Sequence, residues 1–190
     1  RKISEVLFPD TAYGVESGGD PDWIPNLTYE EFPEFHKNYY HPSNSYIYLY
    51  GDFDIVKKLE FLDKEYLSRF NKQTIQSSIK IQAPFLKTKE ATYEYPVSAS
   101  DSLEDKTVLS LNMVTGKATD AESVLALQIL EHILLETSAA PLKKALLEAE
   151  IGKDVFGSFD SNTLQPIFSI GVLGSEENKQ FSFLRCIYST

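Results

Sequence analysis

Cysteine is almost absent from this sequence. Cys186 is the only cysteine in 190 residues, which excludes an internal disulfide framework and fits a reducing compartment. We therefore expect a location such as the cytoplasm, with an organelle matrix as the alternative. Because no histidine or second cysteine stands near it in the sequence, Cys186 is interpreted as a small buried hydrophobic residue and not as a reactive thiol.

Positive charge is also scarce. Lysine and arginine number 18 against 28 aspartates and glutamates, a formal net charge of -10 at pH 7. Such a surface repels phosphate backbones and anionic lipids on average, so we expect no nucleic acid and no membrane as partners. No apolar run approaches the roughly 20 residues of a membrane span, and no leader pattern opens the chain. With 42% hydrophobic and 13% aromatic residues, the composition instead predicts a globular protein with a packed core.

Residues 27–51 have the clearest local pattern. Thr28 and Glu31 match a capping box, which predicts a helix start. One face of that helix has the spacing of a buried stripe and consists of Phe32, Phe35, His36 and Tyr39. Residues 45–50 then alternate tyrosines with Ile47 and Leu49, which predicts a strand inside a sheet that is covered on at least one side.

Later segments predict further elements of both kinds. Asp54 is expected to cap a helix that runs to Phe70. Strands are predicted at residues 92–95 and 107–113, and a hairpin is predicted from residues 155–159 and 167–173. A last helix is expected after the acidic pair at 176–177.

Two helices are expected between those strands. Thr119 and Glu122 match a second capping box, and the run from there to Leu135 is apolar almost all round, as in a buried helix. Pro141 predicts the start of a short helix through Glu150, with Gly152 as its C-cap.

Hairpins with segregated helices indicate an α+β fold of mainly antiparallel sheet with helices on one face. We predict two partial modules: residues 1–72 as the C-terminal part of the first, 73–90 as a linker, and 91–190 as the N-terminal part of the second. The chain begins at Arg1 without methionine and stops inside a predicted helix. We therefore expect it to be a piece of a longer protein.

One long run resembles a known family. Residues 7–54, LFPDTAYGVESGGDPDWIPNLTYEEFPEFHKNYYHPSNSYIYLYGDFD, resemble the insulinase/pitrilysin family of zinc metallopeptidases, in particular its presequence-protease branch. The second half is similar to the second domain of that branch, at Thr137-Ser-Ala-Ala-Pro141-Leu, Lys144-Ala-Leu146, Gly152 and Phe168-Ser-Ile-Gly171-Val.

The resemblance implies a parent of four related α+β modules that enclose a chamber and cleave unstructured peptides with one zinc ion. The zinc motif His-x-x-Glu-His and its further glutamate ligand would precede Arg1, and an assisting arginine and tyrosine would lie in the other half. On this interpretation the chain holds no catalytic residue. Its partners would be the remaining modules of the same polypeptide and, through the parent, peptide substrates.

One degenerate motif tests that interpretation. Gln128, Glu131 and His132 have the spacing of the family's zinc motif, with glutamine in place of the first histidine. Glutamine is a poor zinc ligand, and a catalytic zinc needs about three protein ligands. We therefore predict that this motif binds no zinc and that the chain binds no cofactor of its own.

Other candidate residues have simpler interpretations. Tyr13, Ser17, Gly18 and Gly19 are expected to face the chamber of the parent as a backbone platform. His36 and His41, five positions apart across a helix end, are interpreted as structural or exposed.

Three functions remain open from the sequence. The first is a non-catalytic fragment of a zinc metalloendopeptidase, which supplies chamber wall and the module junction. The second is an inactive peptide-binding or scaffold homologue of the same family. The third is a metal-dependent hydrolase that uses Glu131 and His132 itself.

Overall fold

The computed structural model describes all residues, Arg1–Thr190, and has the predicted α+β architecture. The helices are α1 (Lys2–Leu7), α2 (Glu31–Tyr39), α3 (Ile55–Glu65), α4 (Ala121–Glu131), α5 (Pro141–Glu148) and α6 (Gln180–Ser189). The strands are β1 (Thr107–Val114), β2 (Asp154–Asp160) and β3 (Ile167–Ser175).

The chain divides into two compact units. Residues 1–16 and 80–190 form the first, which we call the sheet unit, and residues 17–79 form the second, which we call the helical unit. The modules predicted at 1–72 and 91–190, with a linker at 73–90, concern a longer parent and stay a prediction.

The sheet unit is built on three antiparallel strands in the order β1-β3-β2. The predicted hairpin is therefore confirmed as β2 and β3, in which Ser158 lies opposite Ser169. At its turn the Asp160 carboxylate accepts a hydrogen bond of 2.9 Å from the backbone N–H of Asn162. Aspartate favours such turns because its side chain can accept from the backbone two residues further on.

The core of the sheet unit lies between one face of the sheet and helices α4 to α6. Its buried residues are Leu135, Leu142, Leu146, Ile151, Val155, Phe168, Ile170, Val172 and Phe183. Cys186 packs against this cluster as a half-buried residue, in line with its interpretation as a small apolar side chain. Gly157 provides space for Leu135, since a Cβ at that position would lie 2.2 Å from Leu135 Cδ1.

Contrary to the expectation that no apolar run approaches a membrane span, the stretch Ala121–Glu148 has the length and composition of a membrane-spanning helix, although most of it is exposed in this chain. It is interrupted by four non-helical residues, 137–140. It also supplies Leu135, Leu142 and Leu146 to the core cluster. A core position therefore accounts for part of its apolar character, and the absence of a membrane partner stays a prediction.

The helical unit has well-formed helix starts. The predicted capping box is confirmed, because the Thr28 N–H donates to the Glu31 carboxylate at 2.8 Å and the Glu31 N–H donates to the Thr28 hydroxyl at 3.3 Å. Asp54 caps α3 as predicted by accepting from the backbone of Val56 and Lys57. Helix α3 ends at Glu65, earlier than predicted, and a 3-10 turn at Leu67–Arg69 follows it.

Two predictions for the helical unit are wrong within this chain. Residues 45–50 form no strand, because no second strand lies beside them to complete a hydrogen-bonded ladder. The expected buried face of α2 is exposed, including Phe32 and Phe35, because nothing in the chain covers it.

Three predictions for the sheet unit also need correction. Residues 92–95 are in no strand. Asp120, one position after Thr119, caps α4 by accepting from the Ser123 N–H at 3.2 Å. Helix α5 ends at Glu148, and the residue in the left-handed region beyond it is Glu150, with φ of 52°, and not the predicted Gly152.

Candidate functional site

The degenerate zinc motif lies at the end of α4. Gln128 and Glu131 belong to its last turn, and His132 begins a π-helical turn, His132–Glu136. The His132 N–H donates to the carbonyls of Gln128 and Ile129. A π turn widens the helix by one residue, so side chains before and after it no longer follow one α-helical stripe.

Glu131 is the one buried carboxylate at this place and is only 8% exposed. Burial raises the pKa of its carboxyl group, and the nearby Glu136 carboxylate raises that pKa further, while His132 opposes the shift. Both raising effects disfavour the charged form, because an anion loses hydration when buried and is repelled by a second anion.

His132 points to the surface and is bonded within its own turn. Its Nδ1 lies 2.7 Å from Glu136 Oε2, and both side chains are more than half exposed. An exposed i, i+4 pair of this kind contributes little to stability. Its position shows that His132 and Glu131 differ sharply in environment although they are neighbours in sequence.

We expect no catalytic zinc site from the residues of the motif. The Nδ1 of His132 is hydrogen-bonded to the Glu136 carboxylate. The carboxyl group of Glu131 is buried and has a raised pKa. Residue 128 is a glutamine, whose side chain ends in an amide. No group of three or more histidine, cysteine, aspartate or glutamate side chains in the chain is arranged to hold a metal ion. That the purified chain binds no zinc stays a prediction.

Tyr13, one of the expected chamber residues, has a structural role in the sheet unit. Its hydroxyl accepts a hydrogen bond of 2.9 Å from the Leu164 N–H, and its ring packs edge-on against Phe8 at 5.6 Å between centroids. The next residue, Gly14, suits this close approach of the backbone, because a Cβ there would lie 2.2 Å from the Phe8 carbonyl oxygen. These contacts hold the segment after α1 against the start of β3.

The other expected chamber residues, Ser17, Gly18 and Gly19, belong to the helical unit. All three lie in the irregular stretch between two 3-10 turns, Ala12–Gly14 and Ile24–Asn26. Gly19 has φ of 89°, a conformation that suits glycine. Whether these residues and Tyr13 face a chamber stays a prediction.

The remaining histidines have local contacts. His36 stacks on Tyr40, with 4.7 Å between ring centroids. His41 Nδ1 accepts a hydrogen bond of 3.1 Å from the Ser43 N–H, and its ring meets the edge of Phe70. In this structure the two rings therefore contact their own neighbours and do not form a site together.

Sequence reasoning missed a buried polar cluster in the sheet unit. Gln82 and Gln165 are both buried, and Asp10 bonds to Gln82 through its backbone N–H at 3.0 Å and its carboxylate at 2.7 Å. No local signal could have found it, because the two glutamines are 83 positions apart. The cluster ties residues from three parts of the chain together.

Comparison with known proteins gives consistent relatives. The chain matches the model of the peptidase M16 inactive domain over residues 26–184. It is 51% identical over its full length to Protein HypA of Clostridium perfringens, and 44% identical over 95% of its length to Presequence protease 1, chloroplastic/mitochondrial, of Arabidopsis thaliana. It is also 33% identical over 94% of its length to the mitochondrial presequence protease of Danio rerio.

The chain spans only 17 to 20% of the length of these relatives. The inactive-domain match covers both compact units in part, since it begins in the helical unit and ends in α6. Together with the fold, these matches establish that the chain belongs to the peptidase M16 family, the insulinase/pitrilysin family that its sequence pattern predicts.

Proposed function

We propose that the full-length protein that carries this chain is a zinc-dependent metalloendopeptidase that degrades unstructured peptides in a closed chamber. The observation that carries the proposal is the similarity of almost the whole chain to proteins named presequence proteases, at 44% and 33% identity. Since the chain is about a fifth of the length of those proteins, peptide cleavage belongs to the parent and not to this segment.

Within that parent the chain contributes chamber wall and the junction between the first and second modules. Three observations support a role without chemistry: the match to an inactive domain, the amide at position 128, and the bond between His132 and Glu136. Tyr13 and the segment Ser17 to Gly19 are the residues proposed to face the chamber.

The proposed substrates are flexible peptides with basic residues. The chain has a formal charge of -10, and a wall of that sign attracts basic peptides over acidic ones. Relatives are named for mitochondria and chloroplasts, which supports an organelle matrix as one possible location beside the cytoplasm. The other modules of the same polypeptide are its proposed partners, with no nucleic acid and no membrane.

Metal analysis together with a fluorogenic-peptide assay tests the proposal. We expect about one zinc and chelator-sensitive cleavage from the full-length protein, since one zinc with three protein ligands suffices for such chemistry. The 190-residue chain should show neither. Stoichiometric zinc and cleavage by the short chain would overturn its assignment as wall and would assign the reaction to Glu131 and His132.

An inactive peptide-binding or scaffold homologue is the second candidate. It is favoured by the match to a domain described as inactive and by the glutamine at position 128 in place of the first histidine of the motif. A full-length protein without an intact His-x-x-Glu-His motif that binds labelled peptides and leaves them uncut would support this candidate over the peptidase.

A further inference from the structure

The segment that leads into α2 exposes large apolar side chains. Trp23 is 72% exposed and Tyr29 is 81% exposed, and Leu27, between them in sequence, is exposed as well. Trp23 is also the only tryptophan of the chain. Tryptophan and tyrosine are enriched at binding hot spots, and an exposed apolar patch with a polar rim is typical of an interaction surface.

Backbone hydrogen bonds hold this segment in a fixed shape. The Asp20 carbonyl accepts from the N–H groups of both Trp23 and Ile24 at 2.9 Å, and the Leu27 N–H donates to the Ile24 carbonyl at 3.2 Å. The capping box at the start of α2 follows directly in sequence. A surface on a fixed backbone loses little conformational entropy when it binds a partner, which favours affinity.

The charged side chains in this part of the helical unit are all acidic. Residues 17–36 contain no lysine or arginine but five carboxylates, which are Asp20, Asp22, Glu30, Glu31 and Glu34. Asp22, Glu30 and Glu34 are exposed. Hydrogen bonds from the backbone N–H and the hydroxyl of Thr28 lower the pKa of Glu31, so its charge persists at neutral pH.

The start of a helix accounts for only part of this pattern. Glu30, Glu31 and Glu34 lie at the positive end of α2, where carboxylates are favourable. That effect does not explain Asp22, nor the exposed rings of Trp23 and Tyr29 in the same segment. Permanent burial under other polypeptide does not suit the segment either, because carboxylates buried without cations lose their hydration uncompensated.

A cationic peptide segment with apolar side chains matches both properties of the surface. A lysine or arginine of such a peptide can lie over the ring of Trp23 or Tyr29 as a cation–π pair, and the carboxylates attract it. Its apolar side chains can contact Leu27. A second copy of this chain suits the surface less, because its formal charge of -10 is of the same sign.

The exposed residues of this segment are named the Trp23 surface and are Asp22, Trp23, Leu27, Tyr29, Glu30 and Glu34. We infer that the Trp23 surface docks a cationic, partly apolar segment of the peptide substrate and so determines which peptides the parent protein prefers. This inference rests on the peptide substrates of the proposed function, but it does not require that the peptides are cleaved.

Fluorescence anisotropy of the full-length protein with two labelled peptides tests the inference. One peptide of about 15 residues alternates lysine with leucine and serine, and in the other peptide glutamine replaces each lysine. A chelator in the buffer prevents zinc-dependent cleavage. The lysine peptide should bind at least about 10-fold more tightly at low salt, and the ratio should fall at high salt because exposed charges are screened. Equal affinities for the two peptides would overturn the inference.

An aromatic pair of variants assigns the affinity to the Trp23 surface. Trp23→Ala should weaken binding of the lysine peptide at least about 5-fold, as truncation of a binding hot spot does. Tyr188→Ala, at a similarly exposed aromatic residue of α6, is the control and should change the affinity by less than about 1.5-fold. Equal effects of the two variants would contradict the inference.

A second pair of variants tests the charges. Glu30→Gln together with Glu34→Gln should weaken binding of the lysine peptide at least about 3-fold at low salt and leave the glutamine peptide unaffected. Glu60→Gln together with Glu65→Gln, in α3, makes the same charge change away from the Trp23 surface in sequence and should have less than half of that effect. The same loss from both pairs would assign the preference to net charge and overturn the inference.

Thermal melts of the full-length protein separate docking from coverage by the rest of the polypeptide. Trp23→Ala should change the Tm by about 1 °C or less, as is usual for an exposed site. A loss of about 5 °C or more would show that the parent itself covers the indole ring, and would overturn the inference.

The inference and the proposed peptidase fail through different measurements. A full-length protein whose Trp23 surface variants bind the lysine peptide weakly, but which neither holds zinc nor cleaves peptides, would support the inference and overturn the peptidase. Zinc-dependent cleavage by a protein whose affinity is unchanged in those variants would support the peptidase and overturn the inference.

Discussion

Gln82 and Gln165 exchange two hydrogen bonds across 83 positions of sequence. The Gln165 side chain accepts from the Gln82 N–H at 2.7 Å and donates to the Gln82 carbonyl at 3.2 Å. Both residues are buried, so a single amide side chain satisfies both backbone groups of a residue that lies in no strand. A glutamine is suited to this role because it carries one acceptor and one donor group side by side.

Replacing Gln165 should therefore lower the free energy of unfolding more than a substitution at an exposed position does. Gln165→Leu leaves the buried N–H and C=O of Gln82 unpaired, which should lower the free energy of unfolding by about 2 kcal/mol or more. Urea denaturation measures the loss. Gln180→Leu, at an exposed position that begins α6, is the matched control and should stay within about 0.5 kcal/mol. Equal effects of the two variants would contradict the role of the Gln82 contact.

Two glycines in the sheet should differ in their tolerance of alanine. A Cβ at Gly157 would lie 2.2 Å from Leu135 Cδ1 and 3.0 Å from Leu135 Cβ, and Leu135 is buried. Gly157→Ala should thus lower the free energy of unfolding by about 1–3 kcal/mol, the usual cost of overpacking.

Gly171→Ala is the comparison for that prediction. The three atoms nearest to a Cβ there all belong to the Phe156 ring, at 2.1 to 2.7 Å, and this half-buried ring can move aside. Its loss in thermal denaturation should be smaller than that of Gly157→Ala. The reverse order would show that Leu135 adjusts more easily than Phe156.

The ion pair of Asp105 and Lys153 should make the stability of the fold depend on pH in the acidic range. Their side chains are 2.7 Å apart, and the hydrogen bond from Lys153 lowers the pKa of Asp105. A carboxyl group with a lowered pKa in the folded state stabilises the fold above its unfolded pKa and loses that effect as the pH falls through the folded pKa. Asp105→Asn should therefore be less stable than the parent at pH 7, with a difference that shrinks in acid.

Asparagine suits this test because residue 105 has φ of 55°, a conformation that asparagine tolerates. Both groups are exposed, so the difference should be small and should fall further in high salt. In a Lys153→Met background most of this difference should disappear in thermal melts at several pH values, since Lys179 makes only a smaller contribution. Persistence of the full difference in that background would assign the effect to another partner.

Glu131 should have the opposite pH dependence. Burial raises the pKa of its carboxyl group, so the folded state holds this proton more tightly than the unfolded state does. Stability should then fall as the pH rises from the ordinary carboxyl range through the raised pKa. Glu131→Gln removes this penalty, and its stability relative to the parent should increase with pH over that window.

Denaturation curves at several pH values check that expectation. Glu16→Gln, in an exposed loop, makes the same charge change and serves as the control. A Glu131→Gln variant whose stability relative to the parent is constant with pH would show that the carboxyl group ionises without penalty in the fold. Zinc analysis of the same variant should give the same low value as the parent chain.

Features that depend on a few adjacent residues could be predicted from the sequence. The Thr28 and Glu31 capping box needs only its own turn, and the β2–β3 hairpin needs only two strands with a short connection between them. The Asp54 cap is of the same kind. The family assignment likewise rested on contiguous runs of residues.

Features that depend on distant or missing partners could not be predicted. The alternation in residues 45–50 indicates a strand, but alternation cannot supply the neighbour that a ladder needs. At the start of α4, Asp120 and Thr119 are both good caps, and the register of the first turn decides between them. The environment of Glu131 depends on packing against other elements, which helical spacing alone does not describe.

The order β1-β3-β2 has a consequence for synthesis on the ribosome. Each residue of β1 is made more than 50 residues before its partner in β3. At about 5–20 residues per second, β1 is without its neighbour for roughly 3–14 s. Ser110 and Asn112, joined by a side-chain hydrogen bond of 2.9 Å, place two polar side chains on one face of the unpaired strand. They make that face less apolar, which reduces the risk that the nascent chain pairs with another copy before β3 emerges.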